Sequence, residues 1–211
     1  KEEYSASLKA ELKGKVIGLI PNITYSIQDE KMVNNFEEVV NKIKEAGAIV
    51  KDYDVDVNLL KAILPVYLVI SCAEATSNNA NLDGIKFGNR VNGETFEDIM
   101  KNTRTNGFSE LIKRRFIIGN YSLLKDNIEE VFMKAQKARR IIVDAVNKIL
   151  EDNDCIYLPA APSSAPKFEG ESDKLSSQYL IADNYMAIGN FGGLPSLTLP
   201  IGFKEGMPFG A

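Results

Sequence analysis

The sequence predicts an α/β fold, a mixed and mostly parallel sheet covered by helices. Two observations lead there. The short apolar, β-branched run KVIGLI (15–20) is followed by an amphipathic helical stretch and then by a second strand beginning at Ala48–Val50. That order is a β-α-β unit, whose strands pair in parallel. Later, the long helical stretch Asn127–Leu150 leads into CIYL (155–158), a further buried strand stopped by the Pro-rich turn PAAPSSAP.

Each element has a local reason. Pro21-Asn22 ends the first strand. Asp29 is placed to cap a helix running to about Ala46, with Val33, Phe36, Val40 and Ile43 on one face and Gly47 suited to its C-terminus. A second helical region covers about Leu59–Ala80, with Leu60, Ile63, Leu64, Tyr67 and Leu68 as its apolar stripe. Pro65 is expected to kink it or to open a new first turn. The loop NLDGIKFGNRVNG (81–93) must turn more than once. Phe96–Met100 reads as a short helix and Ser109–Tyr121 as another. On Asn127–Leu150, the residues Val131, Phe132, Ala135, Ile142, Val146 and Ile149 share a side. The polar segment KFEGESDKLSSQ (167–178) reads as a surface loop, Tyr179–Ile188 as helix and Ser196–Ile201 as the last strand. A turn signal at Lys204-Glu205-Gly206 then starts a hairpin. No composition break marks a linker, so residues 1–211 are read as a single α/β unit.

Composition narrows the function. The net charge is −4, without the basic surplus that phosphate-gripping proteins carry, so direct tRNA contact is disfavoured. The two cysteines, Cys72 and Cys155, fit no metal spacing or redox pair and read as reduced, buried thiols. Histidine is absent, which removes Ser-His-Asp and Cys-His catalysis and His-based zinc sites. No apolar run reads as long enough to span a bilayer, so no membrane partner is expected.

Few residues invite chemistry on their own. Gly189-Asn190-Phe191-Gly192-Gly193 precedes a strand rather than a helix, so it reads as a tight turn and not a phosphate cradle. In Lys113-Arg114-Arg115, successive helical residues point about 100° apart. Lys113 reads as solvated, whereas Arg115 beside Phe116-Ile117-Ile118 is positioned to turn inward. An inward Arg needs an acidic partner or an anionic ligand. Asp183 lies in the apolar stretch YLIADNYMAIGN, where a surface or capping role is the plainer reading. Tyr67 fits a core stripe, and Glu74 says little alone. An Arg and an Asp converging on one pocket would suit an α-amino acid, the guanidinium forking onto the carboxylate and the Asp taking the ammonium.

Several stretches, taken in order, resemble the amidase signature family, and within it the A-subunit branch of the glutamyl-tRNA(Gln) amidotransferases. They are LKGKVIGLIPN, LPVYLVISCAEATSNNANLDGIKFGNR, GFSELIKRRFIIGNYSL, FMKAQKARRII, CIYLPAAPSSAP and NFGGLPSLTLPIGFKEGMPFG. The resemblance implies a parent that hydrolyses glutamine with a Ser–Ser–Lys triad and supplies ammonia for converting Glu-tRNA(Gln) to Gln-tRNA(Gln). Its implied partners are glutamine and the B and C subunits of a cytoplasmic heterotrimer. ATP and Mg belong to the partner subunit, and no cofactor is implied for this chain. No Gly-Gly-Ser-Ser-Gly-Gly-Ser stretch occurs in these residues, so the triad region is expected to precede Lys1 and a further strand to follow Ala211.

No catalytic residue is therefore assigned here. Residue by residue, the resemblance makes Tyr67 a substrate-binding position, Arg115 the α-carboxylate ligand and Asp183 the α-ammonium ligand. Ala160 stands where the family has Thr, Phe191-Gly192 where it has Leu-Ala, and Lys86-Phe87 where it has Arg-Tyr. Two other readings stay open: part of another amidase-signature hydrolase, and a non-catalytic interaction module. Strand edges left open by missing neighbours would favour a homo-oligomer.

Overall fold

A computed structural model describes residues 11–165 and 187–211. In chain order its elements are β1 (Val16–Leu19), α1 (Pro21–Thr24), α2 (Glu30–Glu45), β2 (Ile49–Asp52), α3 (Val57–Asn78), α4 (Phe96–Gly107) and α5 (Glu110–Leu123). A π-helical segment, Ile128–Met133, leads into α6 (Lys134–Leu150), followed by β3 (Cys155–Ile156), α7 (Ala187–Gly192), β4 (Pro200–Lys204) and β5 (Met207–Gly210). These residues group into two compact units. One takes the chain up to Lys61 and most of it from Ile141 onward; the other runs from Ala62 to Arg140. The sequence reads as one unit because it shows no linker: the chain crosses at Lys61 inside α3 and at Ile141 inside α6.

The first unit holds a three-stranded sheet in the order β2-β1-β3, with both pairings parallel. This is the β-α-β arrangement predicted from KVIGLI and its helix. Asp29 caps α2 by accepting from the Met32 N–H at 3.1 Å, and Gly47 follows the helix at φ 92°. That left-handed conformation favours glycine. Met32, Phe36 and Val40 are the buried residues of α2. Phe36 stacks on Tyr157 with ring centroids 4.6 Å apart. The Tyr157 hydroxyl is buried with no partner among the described residues, and burial pushes its pKa up to about 12.

Strand β3 is pinned to β1 by Asp154. Its carboxylate accepts from the Val16 N–H and from Lys15 Nζ, each at 2.8 Å. Asn153 Nδ2 donates to the Tyr53 hydroxyl and to the Ile149 carbonyl, both at 2.6 Å. On the C-terminal half of α6, Ile142, Val146 and Ile149 are buried, as their spacing predicts.

Strands β4 and β5 form an antiparallel hairpin through Glu205 and Gly206, both at positive φ. The hairpin docks on α2. Ile27, Met32 and Phe209 form a buried cluster with Val33 and Ile201 packed against it. Asn35 Nδ2 donates to the Ile201 carbonyl at 3.1 Å, and Lys204 pairs with the Asp29 carboxylate. One carboxylate thus caps a helix and anchors a strand from the far end of the sequence.

Several expectations are corrected. The buried residues of α3 are Ile63, Val66, Ile70, Cys72 and Ala73, whereas Leu60, Leu64, Tyr67 and Leu68 are half-buried. That helix is apolar nearly all round, so its periodicity carries little information. It also runs unbroken through Pro65. As a result, one helix is long and apolar enough to cross a membrane: 22 residues, with a window of mean hydropathy 1.6. The core helix of a soluble protein meets the same criterion.

Helix α4 extends seven residues beyond the predicted Met100, to Gly107. The Thr95/Asp98 capping box that starts it is visible in the sequence as TFED. Cys155 is exposed on a two-residue strand, not buried. Ala187, Ile188 and Phe191 are buried at helical spacing, so Gly189–Gly192 ends a helix instead of forming a turn. The last strand starts at Pro200, later than predicted, although Leu199 already exchanges both backbone hydrogen bonds with Ala211. The segment 167–178 and most of the predicted helix Tyr179–Ile188 lie outside the described residues.

Replacing Asp29 with Ala should lower stability by about 1 kcal/mol, the usual cost of a lost N-cap. The bond from Lys204, followed by that from the Met32 N–H, holds the Asp29 carboxyl below its ordinary pKa. Its contribution is therefore complete above the ordinary carboxylate pKa and lost as pH falls through the lowered value. Urea unfolding of both proteins should show a gap at pH 7 that closes in acid; a gap independent of pH would contradict this role.

Candidate functional site

The second unit is organised by α3, α4 and α5. Arg104 connects several of these elements. The Arg104 guanidinium donates to the carbonyls of Asn79 at 2.8 Å and Leu82 at 3.1 Å, closing the chain just past the C-terminus of α3. The same guanidinium lies over the rings of Phe108 and Phe116, 5.1 and 5.4 Å from their centroids. Those rings meet edge-to-face at 5.0 Å. Arg104 therefore joins α4, the middle of α5 and the chain just past the end of α3 through hydrogen bonds and cation–π contact.

Helix α5 lies directly on α3. Its buried residues are Phe116, Gly119 and Ser122, a stripe at three-residue spacing. Thr76 Oγ1 donates to the Cys72 carbonyl at 2.8 Å and reaches the Phe116 carbonyl at 3.4 Å. Cys72 is fully buried, and desolvation raises its thiol pKa. The nearby Arg115 charge, and a hydrogen bond with Ser71, pull that pKa part of the way back.

Arg115 is half-buried on α5, although of the apolar run after it only Phe116 is buried and Ile117 and Ile118 are exposed. Arg114 is exposed; Lys113, read as solvated, is half-buried, one turn before the buried Phe116. Tyr67 is half-buried on α3, five residues before Cys72, and Glu74 is exposed. The structure thus carries Tyr67 and Arg115 on two helices in direct contact. Asp183 lies outside the described residues. Sequence reasoning misses Thr76 and Gly119; the small residues at both positions are the available signal. Among the described residues no group of three or more His, Cys, Asp or Glu could hold a metal ion.

Comparison with known proteins gives the following. The family model described as Amidase matches residues 1–211. The A subunit of glutamyl-tRNA(Gln) amidotransferase from Ruthia magnifica subsp. Calyptogena magnifica is 36% identical over 209 residues, covering 99% of this chain and 43% of that protein. Its namesake from Clostridium botulinum (strain Kyoto / Type A2) is 35% identical over 209 residues, covering 99% and 42%. The chain thus spans less than half the length of these relatives.

Among solved structures, the corresponding amidotransferase A subunit from Thermotoga maritima superposes with a TM-score of 0.68 at 28% identity, covering 97% of this chain and 39% of the other. A bacterial aryl acylamidase of the amidase signature enzymes superposes at 0.63 with 16% identity over 100% of this chain and 41% of the other, a likeness of fold alone. The predicted fold class, α/β with the amidase-signature arrangement, is the one observed.

Arg104→Ala should destabilise the protein by roughly 2–3 kcal/mol, since two carbonyls lose a charged donor. Arg104→Lys should recover only part, because an ammonium lacks the planar fork. Hydrogen exchange at residues 76–85 should accelerate in both variants; unchanged protection there would show that the cap is dispensable.

Proposed function

The chain belongs to the amidase family, and from that premise we propose that it is the glutamine-holding part of the enzyme component that releases ammonia for converting Glu-tRNA(Gln) to Gln-tRNA(Gln). What supports this reading above all is the placement of Arg115. Arg115 is half-buried on α5, and its charge acts on the buried Cys72 thiol of α3; a guanidinium there suits a planar anion. The amidotransferase relatives at 35–36% identity favour the same substrate over other amides.

In this reading Arg115 takes the α-carboxylate of glutamine through paired hydrogen bonds, and Asp183 takes the α-ammonium. Tyr67 lies against the bound substrate. Their work is binding and orientation, which lowers the entropic cost of attack on the side-chain amide. The attacking group and its proton carriers come from a Ser–Ser–Lys region that these residues do not contain. The B and C subunits are the proposed partners in a cytoplasmic heterotrimer. ATP and Mg are used by the partner subunit, and the net charge of −4 leaves tRNA contact to the partners as well.

Two outcomes follow. The 211-residue chain expressed alone should release no ammonia from glutamine; measurable turnover would refute the division of labour. In the assembled amidotransferase, Arg115→Ala should raise the glutamine KM at least tenfold, roughly the loss expected for one charged hydrogen-bonding partner. Circular dichroism should be unchanged, and an unaltered KM would remove Arg115 from the pocket.

A further inference from the structure

The contact between α3 and α5 contains a position where no side chain fits. A Cβ on Gly119 would press into the Cys72 carbonyl oxygen and Thr76 Oγ1, and would lie 2.6 Å from the Cys72 carbonyl carbon. Two of those atoms belong to helix backbone, which cannot step aside without moving α3. Thr76 sits across the same contact, with its hydroxyl on the Cys72 carbonyl at 2.8 Å and within 3.4 Å of the Phe116 carbonyl. Gly119 and Thr76 therefore fix how closely α5 approaches α3 and at what register.

Arg115 lies four residues before Gly119, on the same face of α5. Its charge acts on Cys72, the residue against which Gly119 packs. Any increase in the α3–α5 spacing moves the guanidinium directly, because one helical turn of rigid backbone joins the two positions. A side chain at 119 would act as a wedge at the point of closest approach. Tyr67, on the other helix, would shift relative to Arg115 by the same displacement.

We propose that Gly119, seated against the Cys72 backbone and the Thr76 hydroxyl, is a positioning residue that sets the placement of Arg115 for the substrate α-carboxylate. This rests on the assignment of Arg115 made above and extends it to a residue that touches no substrate. A purely structural role for Gly119 would affect all substrates alike, whereas a positioning role acts only on those that carry the carboxylate.

The test compares glutamine with 4-aminobutanamide, which has the same amide and amine but no α-carboxylate, in the assembled amidotransferase. Gly119→Ala should raise the glutamine KM about tenfold or more, the effect expected of a displacement of order 1 Å. Its kcat/KM for 4-aminobutanamide should stay within about twofold of the parent, a change small against the loss of a binding contact. Equal losses on both substrates, or no loss on either, would overturn the proposal.

Should Gly119→Ala fail to fold, Thr76→Val removes the bridging hydroxyl at nearly constant volume. It should give the same glutamine-selective rise at smaller size, and an unchanged ratio between the substrates would overturn the proposal. Arg115→Ala separates the two levels. If it leaves the ratio unchanged, the carboxylate assignment falls and the positioning role falls with it. If it abolishes the selectivity while Gly119→Ala and Thr76→Val do not, only the positioning role is refuted.

Discussion

Helix α5 can lie on α3 only because residue 119 carries no side chain. The Cys72 carbonyl and the Thr76 hydroxyl occupy the space that a Cβ would take. Much of the second unit follows from that closeness. Phe116 and Ser122 become buried on the flanks of the contact, and the charge of Arg115 acts on Cys72. Phe116 also turns its ring edge-to-face with Phe108 beneath the Arg104 guanidinium, so the packing continues into α4. A missing methyl group, an aromatic pair and a cation form one continuous set of contacts.

The first unit solves a different problem by similar economy. Among the described residues its sheet has three strands, and β3 contributes two residues. Side chains near the strand ends make up for that shortness. Asp154 holds the entry of β1 through a main-chain amide and Lys15, while Asn153 ties the end of α6 to Tyr53 after β2. Asp29 serves helix and hairpin together. Asp154 thus satisfies a strand amide, while Asp29 and Asn153 satisfy backbone groups at helix ends.

How much of the fold is legible in the sequence depends on the kind of signal. Helix α2 is legible almost to the residue because three independent cues agree: an Asp cap, a clean apolar face and a Gly stop. The hairpin turn at Glu205-Gly206 is legible for a similar reason. The buried face of α3 is not, since nearly every residue from Val57 to Cys72 is apolar and periodicity vanishes. The π-helical segment before α6 has no local sequence signature in Ile128–Met133 that would separate it from ordinary helix. At the candidate site, the apolar run after Arg115 is a weak guide, since Ile117 and Ile118 are exposed and only Phe116 is buried. The contact of Gly119 with Cys72 is not legible, because it joins residues far apart in the chain and depends on what is absent.

That contact bears on the electrostatics of Arg115. A partly buried guanidinium loses hydration, and the loss has to be met by negative charge nearby. Cys72 is close but cannot supply it. Desolvation raises the thiol pKa, the pull of Arg115 recovers only part of the rise, and the sulfur stays protonated near neutral pH. The neighbouring Phe116 ring and the α3 backbone offer no anion either. In the function proposed above, the charge that meets Arg115 is that of a substrate α-carboxylate, whose planar geometry matches the guanidinium fork.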